Sequence, residues 1–446
     1  MESSGISSKY STSGNDLWGH PKGLFILFLT EMWERFSYYG MRSLLIYYMV
    51  KQLMFNHGFA SHVYGLYTGL VYLSPFLGGI IADRLLGRRK AVVIGALLMS
   101  IGQFMMAKEA LFFYALVFLI IGNGFFKPNI STQVADLYAP LDNRLDRAFS
   151  VFYVGINVGA FFSPLICGSL GEIYGWRYGF DAAGVGMVIG LLIYLFGQKW
   201  LAPETVIRQL KVEAETYKTQ RRLERDKLLG LLAIGLVTVA FWSAYEQQGN
   251  TLALWADACT ERRILGWELP ATWFQALNPA FILLFTPLVT GFWKWQSRRH
   301  REPSAILKMA IGCFLLAIGF IIMIPAAWLY EVDRSPVGIS WLISFNLVAT
   351  IGELYLAPIG LSLVTKMSPK RMVSMMMGIW FLSSFAGNFA AGFLGHFWDE
   401  MAKETFFLMI ASIAFAAGLL MLLILKRLKQ VVEREDPIVD PINIQT

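Results

Sequence analysis

Apolar runs long enough to cross a lipid bilayer recur along almost the whole sequence. A spanning helix needs about 20 predominantly apolar residues, and twelve runs of that kind lie between residues 22 and 426. Short polar breaks separate most of the runs, and the one long break covers residues 203–227. The pattern predicts twelve transmembrane helices in two groups of six.

The same pattern divides the chain into five segments. The long break, PETVIRQLKVEAETYKTQRRLERDK, is polar and rich in both charge signs, which predicts a solvated amphipathic linker helix. The predicted segments are a cytoplasmic N-terminal tail at 1–20, a six-helix bundle at 21–202, a cytoplasmic linker at 203–227, a second six-helix bundle at 228–428 and a cytoplasmic C-terminal tail at 429–446.

The composition favours a membrane protein over a soluble one. Of the 446 residues, 56% are hydrophobic and 15% are charged, whereas soluble domains carry about 25% charged residues. The first 20 residues lack the apolar core of a signal peptide, so we expect the first apolar run to remain as a helix. The three cysteines show no metal-ligand spacing, and we expect neither a metal nor a cofactor.

The net charge of +7 is explained by the placement of the basic residues. With the N-terminus inside, 28 of the 38 lysines and arginines fall in the tails and in the connections on the inner side. Basic residues accumulate on the cytoplasmic side of membrane proteins. The asymmetry predicts that both termini are cytoplasmic, and it removes the reason to expect a nucleic-acid partner.

Ionisable residues also lie deep inside some predicted spans. They are Glu31, Glu34, Arg35 and Arg42 on the first span, Lys127 on the fourth, Glu246 on the seventh and Glu353 on the tenth. Two six-helix bundles made of three-helix repeats are the layout of the major facilitator superfamily, whose substrate site lies between the halves at the bilayer midplane. Spans 1, 4, 7 and 10 are equivalent in that layout, so the spacing predicts a polar central cavity.

The charges on the first span follow helical geometry. Positions 31, 35, 38 and 42 fall on one helix face, so Glu31, Arg35, Tyr38 and Arg42 form one polar stripe with Glu34 on its flank. The seven deep residues comprise four carboxylates and three cations, and buried charges must pair or become neutral. One carboxylate therefore has no cation to pair with and can be neutralised by a proton or by a cationic group of a substrate. This indicates a proton-coupled transporter.

Several motifs carry a more specific resemblance. EMWERFSYY at 31–39 and FYVGINVGAFFSP at 152–164 match two signature motifs of the proton-dependent oligopeptide transporters, the POT/PTR family of the major facilitator superfamily. GGIIADRLLGRRK at 78–90 resembles the cytoplasmic loop motif of the superfamily. Further similar segments are FKPN around Lys127, EQQG at Glu246, LNP at Asn278 and GELYLAPIGLS from Gly352.

The resemblance implies an all-α polytopic membrane protein with the major facilitator fold, and a role for each matching residue. Arg35 and Lys127 would bind the carboxylate of a peptide, and its amine would be bound by Asn157, Asn278 and Glu353. The side-chain pockets would be lined by Tyr38, Tyr39, Tyr72, Trp380 and Ser384. Proton coupling would involve Glu31, Glu34, Arg35 and Glu246. The gate salt bridges would be Arg42 with Glu246 on the outer side and Lys127 with Glu353 on the inner side.

These residues predict a proton-coupled symporter that imports di- and tripeptides across the cell membrane by alternating access, as a monomer in the lipid bilayer. An alternative is transport of another small anion or zwitterion, such as nitrate, an amino-acid conjugate or a peptide-like drug. An enzyme is disfavoured, because the five histidines lie in loops or at span ends without metal-site spacing. In one departure, Tyr245 stands where some family members carry an acidic residue, which leaves Glu246 as the deep carboxylate of its span.

Overall fold

The protein is almost entirely helical in the computed structural model, which describes residues 16–139, 142, 144–203, 220–367 and 373–433. Within these ranges twelve helices have 19 residues or more, and a shorter one, α8, follows α7 after a single 3₁₀ segment. The helices are α1 (Lys22–Lys51), α2 (His57–Ile81), α3 (Arg88–Met106), α4 (Phe112–Asp136), α5 (Leu145–Ser163), α6 (Trp176–Gly197), α7 (Gln220–Tyr245), α8 (Thr251–Ala258), α9 (Leu277–Arg298), α10 (Ala305–Asp333), α11 (Ser340–Met367), α12 (Val373–Gly395) and α13 (Lys403–Glu433).

Shorter elements connect or extend these helices. The π-helical segments are Ala82–Leu86, Pro164–Gly168 and Leu170–Tyr174, and the 3₁₀ segments are Glu109–Leu111, Gln198–Trp200, Glu246–Gly249, Ala271–Ala276 and His396–Trp398. Two-residue strands form three pairs, namely β1 (Asp16–Leu17) with β2 (His20–Pro21), β3 (Thr260–Glu261) with β6 (Val337–Gly338), and β4 (Arg263–Ile264) with β5 (Trp267–Glu268). Only the β3–β6 pair is parallel.

The membrane character predicted from hydropathy is confirmed. Nine helices in the described part of the chain are long and apolar enough to cross a membrane. Helix α1 is not among the nine, because Glu31, Glu34, Arg35 and Arg42 interrupt its apolar run. Helix α7 begins at Gln220, inside the segment predicted as a linker, and residues 204–219 of that linker lie outside the described ranges.

The helices pack as two halves. In the first half α1 packs on α5 and α6, and α3 packs on α4; in the second half α10 packs on α11 and α13. The halves meet chiefly where α2 runs along α12 and where α5 touches α9. At the first contact a Cβ on Gly65 would lie 2.6 Å from the Cα of Gly392, so these backbones approach more closely than any other side chain would allow.

The polar contacts between the halves concentrate at one end of the bundle. We call the end where α1 begins and α13 ends the terminus face, and the end where α1 ends and α2 begins the opposite face. At the opposite face Lys51 pairs with Asp257 at 2.7 Å. Nearby, the Glu172 carboxylate accepts hydrogen bonds from the backbone N–H groups of Ala271 at 2.9 Å and Thr272 at 2.8 Å. These contacts hold the two halves together at the opposite face.

Candidate functional site

The charged residues of α1 form one buried cluster. The side chains of Glu31, Glu34 and Arg35 are at most 5% exposed. The guanidinium of Arg35 donates two hydrogen bonds to the carboxylate of Glu34, one from Nη2 at 2.7 Å and one from Nε. Its Nε also lies 3.4 Å from Oε1 of Glu31, one helical turn earlier. One cation is therefore shared by two carboxylates, and the cluster has a net charge of −1 when all three groups are ionised.

The second carboxylate of this cluster is incompletely satisfied. Oε2 of Glu31 is buried and has no hydrogen-bond partner among the described residues. A buried acceptor without a partner costs about 1–3 kcal/mol, and more when it is charged. Protonation of Glu31 would reduce the charge that is buried here, so the geometry suits a carboxyl group that gains and loses a proton.

Lys127 and Tyr38 lie close to this cluster and make aromatic contacts. The ammonium of Lys127, on α4, lies 4.8 Å from the ring centroid of Tyr72 on α2. The guanidinium carbon of Arg35 lies 5.2 Å from the ring centroid of Tyr38. Such contacts attract a cation to the face of the ring. Lys127 and Glu353, both within the described ranges, do not form an ion pair in this structure.

Arg42 connects the two halves through Glu246. Its Nη2 forms an ion pair with Oε2 of Glu246, and its Nε donates to the hydroxyl of Tyr64 at 2.8 Å. Glu246 opens the 3₁₀ segment that interrupts the seventh span. At the end of that segment, a Cβ on Gly249 would overlap the Tyr64 hydroxyl, so the close approach of the segment to α2 requires glycine. The pair predicted from the resemblance is thus in contact, although its role as a gate remains a prediction.

The second half contributes a hydrogen-bonded cluster around Glu353 on α11. Oε2 of Glu353 accepts hydrogen bonds from the Tyr245 hydroxyl and from Nδ2 of Asn278, the latter at 2.9 Å. Nδ2 of Asn278 also lies 2.7 Å from the Tyr245 oxygen and 3.1 Å from Oγ1 of Thr350. Asn278 and Glu353 were predicted to share one site, whereas the contribution of Tyr245 was not predicted. Its position directly before Glu246 was the available signal.

A cavity of about 200 Å³ lies between the halves. The predicted site residues that line it are Tyr39, Arg42, Tyr72, Asn157, Glu246, Asn278 and Glu353. The lining also includes Tyr153, Trp242 and Gln248, which were not predicted as site residues. These aromatic and amide side chains could not be separated from ordinary packing residues by their spacing. The walls therefore combine tyrosine and tryptophan rings with a small number of charged and amide groups, as in many ligand sites.

The other predicted residues do not line this cavity; they are Glu31, Glu34, Arg35, Tyr38, Lys127, Trp380 and Ser384. Trp380 and Ser384, on α12, are 6% and 4% exposed and do not line the cavity. The tip of the Trp380 ring fits against Gly360 of α11, where a Cβ would overlap it. Asn157 lines the cavity while its Nδ2 donates to the backbone carbonyl of Tyr153 at 3.0 Å. The roles assigned to these residues stay predictions.

Comparison with known proteins agrees with the motifs. The profile of the POT family matches residues 89–204 and 201–410. An uncharacterized transporter of Bacillus subtilis is 34% identical over 91% of this chain and 94% of its own length. A peptide transporter of Yersinia enterocolitica is also 34% identical, over 87% of this chain and 90% of its own length.

Solved structures show the same fold. A crystal structure of a POT peptide transporter in complex with sulfate has a TM-score of 0.84 and 30% sequence identity to this chain. The match covers 96% of this chain and 98% of that transporter. The major facilitator fold predicted from the sequence is therefore confirmed, and the chain is a membrane transporter rather than an enzyme. It belongs to the POT family.

Proposed function

We propose that this protein is a proton-coupled symporter that imports di- and tripeptides by alternating access. The observation that carries the proposal is the cavity between the halves, which is lined by Glu353 and Asn278 from the second half and by Arg42 from α1. A zwitterion needs an anionic group at one end and cationic groups at the other. The Yersinia relative is a peptide transporter, which supports a peptide as the zwitterionic substrate.

The structure suggests where the surplus negative charge lies. Arg42 is paired with Glu246, and Arg35 is shared by Glu34 and Glu31. Lys127 interacts electrostatically with Glu31 and Glu34 and would be the compensating cation. Among the residues that the structure describes, the hydrogen-bond donors to Glu353 are the neutral groups of Tyr245 and Asn278. We assign the surplus to Glu353, where the amine of a peptide would supply the missing positive charge.

The peptide carboxylate would then approach Arg35 and Lys127. Its arrival would compete with Glu34 and Glu31 for Arg35, because one positive charge would then face three carboxylates. A carboxylate that loses this partner inside the protein favours its neutral form. Peptide binding and proton uptake would be coupled in this way, with Glu31 or Glu34 as the proton carrier.

Alternating access fits the uneven contact between the halves. We propose that the terminus face is cytoplasmic, in agreement with its basic residues, and that this structure is closed toward the outside. The outer closure would include the Arg42–Glu246 pair and the contacts of Glu172. An inner closure would form when Lys127 meets Glu353 and the outer pair separates.

Membrane insertion is supported by the outer surface of the helices. Large apolar side chains are exposed there, for example Phe196, Leu236 and Leu423, each more than 70% exposed. Such a surface is unfavourable in water and suits the acyl chains of lipids. We propose a multi-pass protein of the cell membrane that works as a monomer, since each chain contains both halves of the cavity.

The proposal is tested by uptake of labelled dialanine into proteoliposomes. We expect accumulation when the outside is more acidic than the inside, and only slow equilibration without the gradient. Empty liposomes and a protonophore provide the controls. Gradient-driven uptake of nitrate, with no effect of dialanine on it, would contradict the proposal and favour the alternative substrate class.

A further inference from the structure

Tyr245 is part of the Glu353 cluster, and its hydroxyl has a defined place in it. We propose that Tyr245 is a positioning residue: together with Asn278 it fixes one oxygen of Glu353, so that the other oxygen is presented to the ammonium of the substrate. The inference rests on the proposed function and extends it to the residue that sets the preference for a free amine.

The first support is the pattern of hydrogen bonds on the carboxylate. The bonds from Tyr245 and Asn278 both end on Oε2 of Glu353. Two donors on one oxygen restrict rotation of the carboxylate, whereas one donor on each oxygen would occupy both. Since Glu353 lines the cavity, Oε1 is the oxygen left to meet a ligand.

The second support is the balance of donors. The amide nitrogen of Asn278 carries two hydrogens, but it has three acceptors within 3.1 Å: the Tyr245 oxygen, Oγ1 of Thr350 and Oε2 of Glu353. Asn278 therefore cannot hold Glu353 and satisfy both other acceptors at the same time. The tyrosine hydroxyl donates to Glu353 independently of this competition, which makes it the more constant of the two donors.

The third support is the rigidity of the tyrosine ring. Tyr245 is 8% exposed and stacks on Phe241, with 5.6 Å between ring centroids and 15° between the planes. The edge of Trp242 meets it at 5.4 Å and 89°. Both neighbours lie on α7, so the ring is held by its own helix and the hydroxyl projects toward α9 and α11. A ring fixed in this way can position a carboxylate on another helix.

The test compares a peptide that has a free amine with one that lacks it. Wild-type protein and Tyr245→Phe are purified as full chains, and binding of dialanine and of N-acetyl-dialanine is measured by competition against labelled dialanine in proteoliposomes. Loss of a hydrogen bond to a charged group corresponds to about a tenfold or larger change in binding. We expect Tyr245→Phe to weaken dialanine by about tenfold and to leave N-acetyl-dialanine nearly unchanged.

The matched control is Tyr355→Phe, which removes a hydroxyl from the same helix as Glu353. Tyr355 packs on Trp293, 5.1 Å away, and does not line the cavity. The control should leave the ratio of the two affinities as in the wild type. Thermal unfolding without ligand checks that both variants are folded.

Three outcomes would overturn the inference. If Tyr245→Phe weakens both peptides equally, the hydroxyl supports the cavity in general and does not position Glu353. If it weakens neither, the hydrogen bond has no role in binding. If the wild-type protein does not bind dialanine at all, the proposed peptide transport itself fails, and that result is recognised before any variant is compared.

Discussion

Replacing Glu246 with glutamine should weaken the closure of the opposite face. Glu246→Gln keeps the size of the side chain but removes the charge that Arg42 contacts. Arg42 would keep its hydrogen bond to Tyr64 but would remain as a buried cation without an anionic partner. Because the pair joins the two halves, its free energy is available only in the state in which the opposite face is closed.

The size of the effect follows from the burial of the pair. The side chains of Arg42 and Glu246 are 12% and 3% exposed. Breaking a buried ion pair by removing one partner costs about 3–5 kcal/mol, and glutamine still offers an acceptor, so we take about 3 kcal/mol. At about 1.4 kcal/mol for each factor of ten, the ratio of closed to open molecules should fall about a hundredfold.

Distances between spin labels on the two halves would measure this shift. Met54 in the first half and Leu265 in the second are 79% and 103% exposed at the opposite face, and they can be replaced by labelled cysteines. Leu85 and Arg298 offer an exposed pair at the terminus face. The native cysteines are buried, which limits background labelling. We expect longer distances at the opposite face and shorter ones at the terminus face in Glu246→Gln.

A surface ion pair between the halves provides the matched control. Lys51 is 44% exposed and its partner Asp257 is 16% exposed, and exposed pairs contribute about 1 kcal/mol or less. Lys51→Gln removes the exposed partner and leaves Asp257 in contact with Arg262 at 3.2 Å, so it should change the distances little. The charge swap of Arg42→Glu with Glu246→Arg should restore part of the closed population. Unchanged distances in Glu246→Gln, together with intact transport, would refute the role of this pair in closure.

Three further predictions concern the proton, the packing of the halves and pH. Glu34→Gln should abolish uptake driven by a pH gradient while exchange of labelled for unlabelled dialanine continues; equal loss of both would assign Glu34 to binding or structure. Gly65→Ala, which places a methyl group against the backbone of Gly392, should lengthen the same opposite-face distances, and unchanged distances would show that α2 and α12 can separate there without cost. The hydrogen bond from Lys308 lowers the pKa of Glu302 below its ordinary value of 4.5. This hydrogen bond therefore stabilises the fold fully above about pH 4.5, and the stabilisation is lost as the pH falls through the lowered pKa of the folded state. The thermal unfolding midpoint of Glu302→Gln should therefore approach that of the wild type as the pH falls below about 4.5. A difference between the two midpoints that does not change with pH would contradict this explanation.

The architecture follows from the sequence because the bilayer imposes strict requirements. Spanning segments must be helical and about 20 residues long, so apolar runs separated by polar breaks predict the helices. The charges on α1 were predictable as one polar stripe from helical spacing alone. The seventh span was less predictable: Glu246 lies on a 3₁₀ segment between α7 and α8 rather than inside a continuous helix. The apolar run over residues 228–257 does not show that interruption in its hydropathy.

The partners of the charged groups could not be derived from the sequence. Four carboxylates and three cations allow many pairings, and nothing in their spacing along the chain selects one. The structure pairs Arg42 with Glu246, 204 positions away, and brings the Tyr245 hydroxyl onto Glu353 across two helices.

The sequence by itself determined the helical membrane class, the division into halves and the presence of buried charge, because these depend on local composition and helical periodicity. Only the tertiary structure decided which carboxylate is left without a cation and which donors hold it. That choice depends on distances between side chains from different helices, and ion pairs and hydrogen bonds form only at close range.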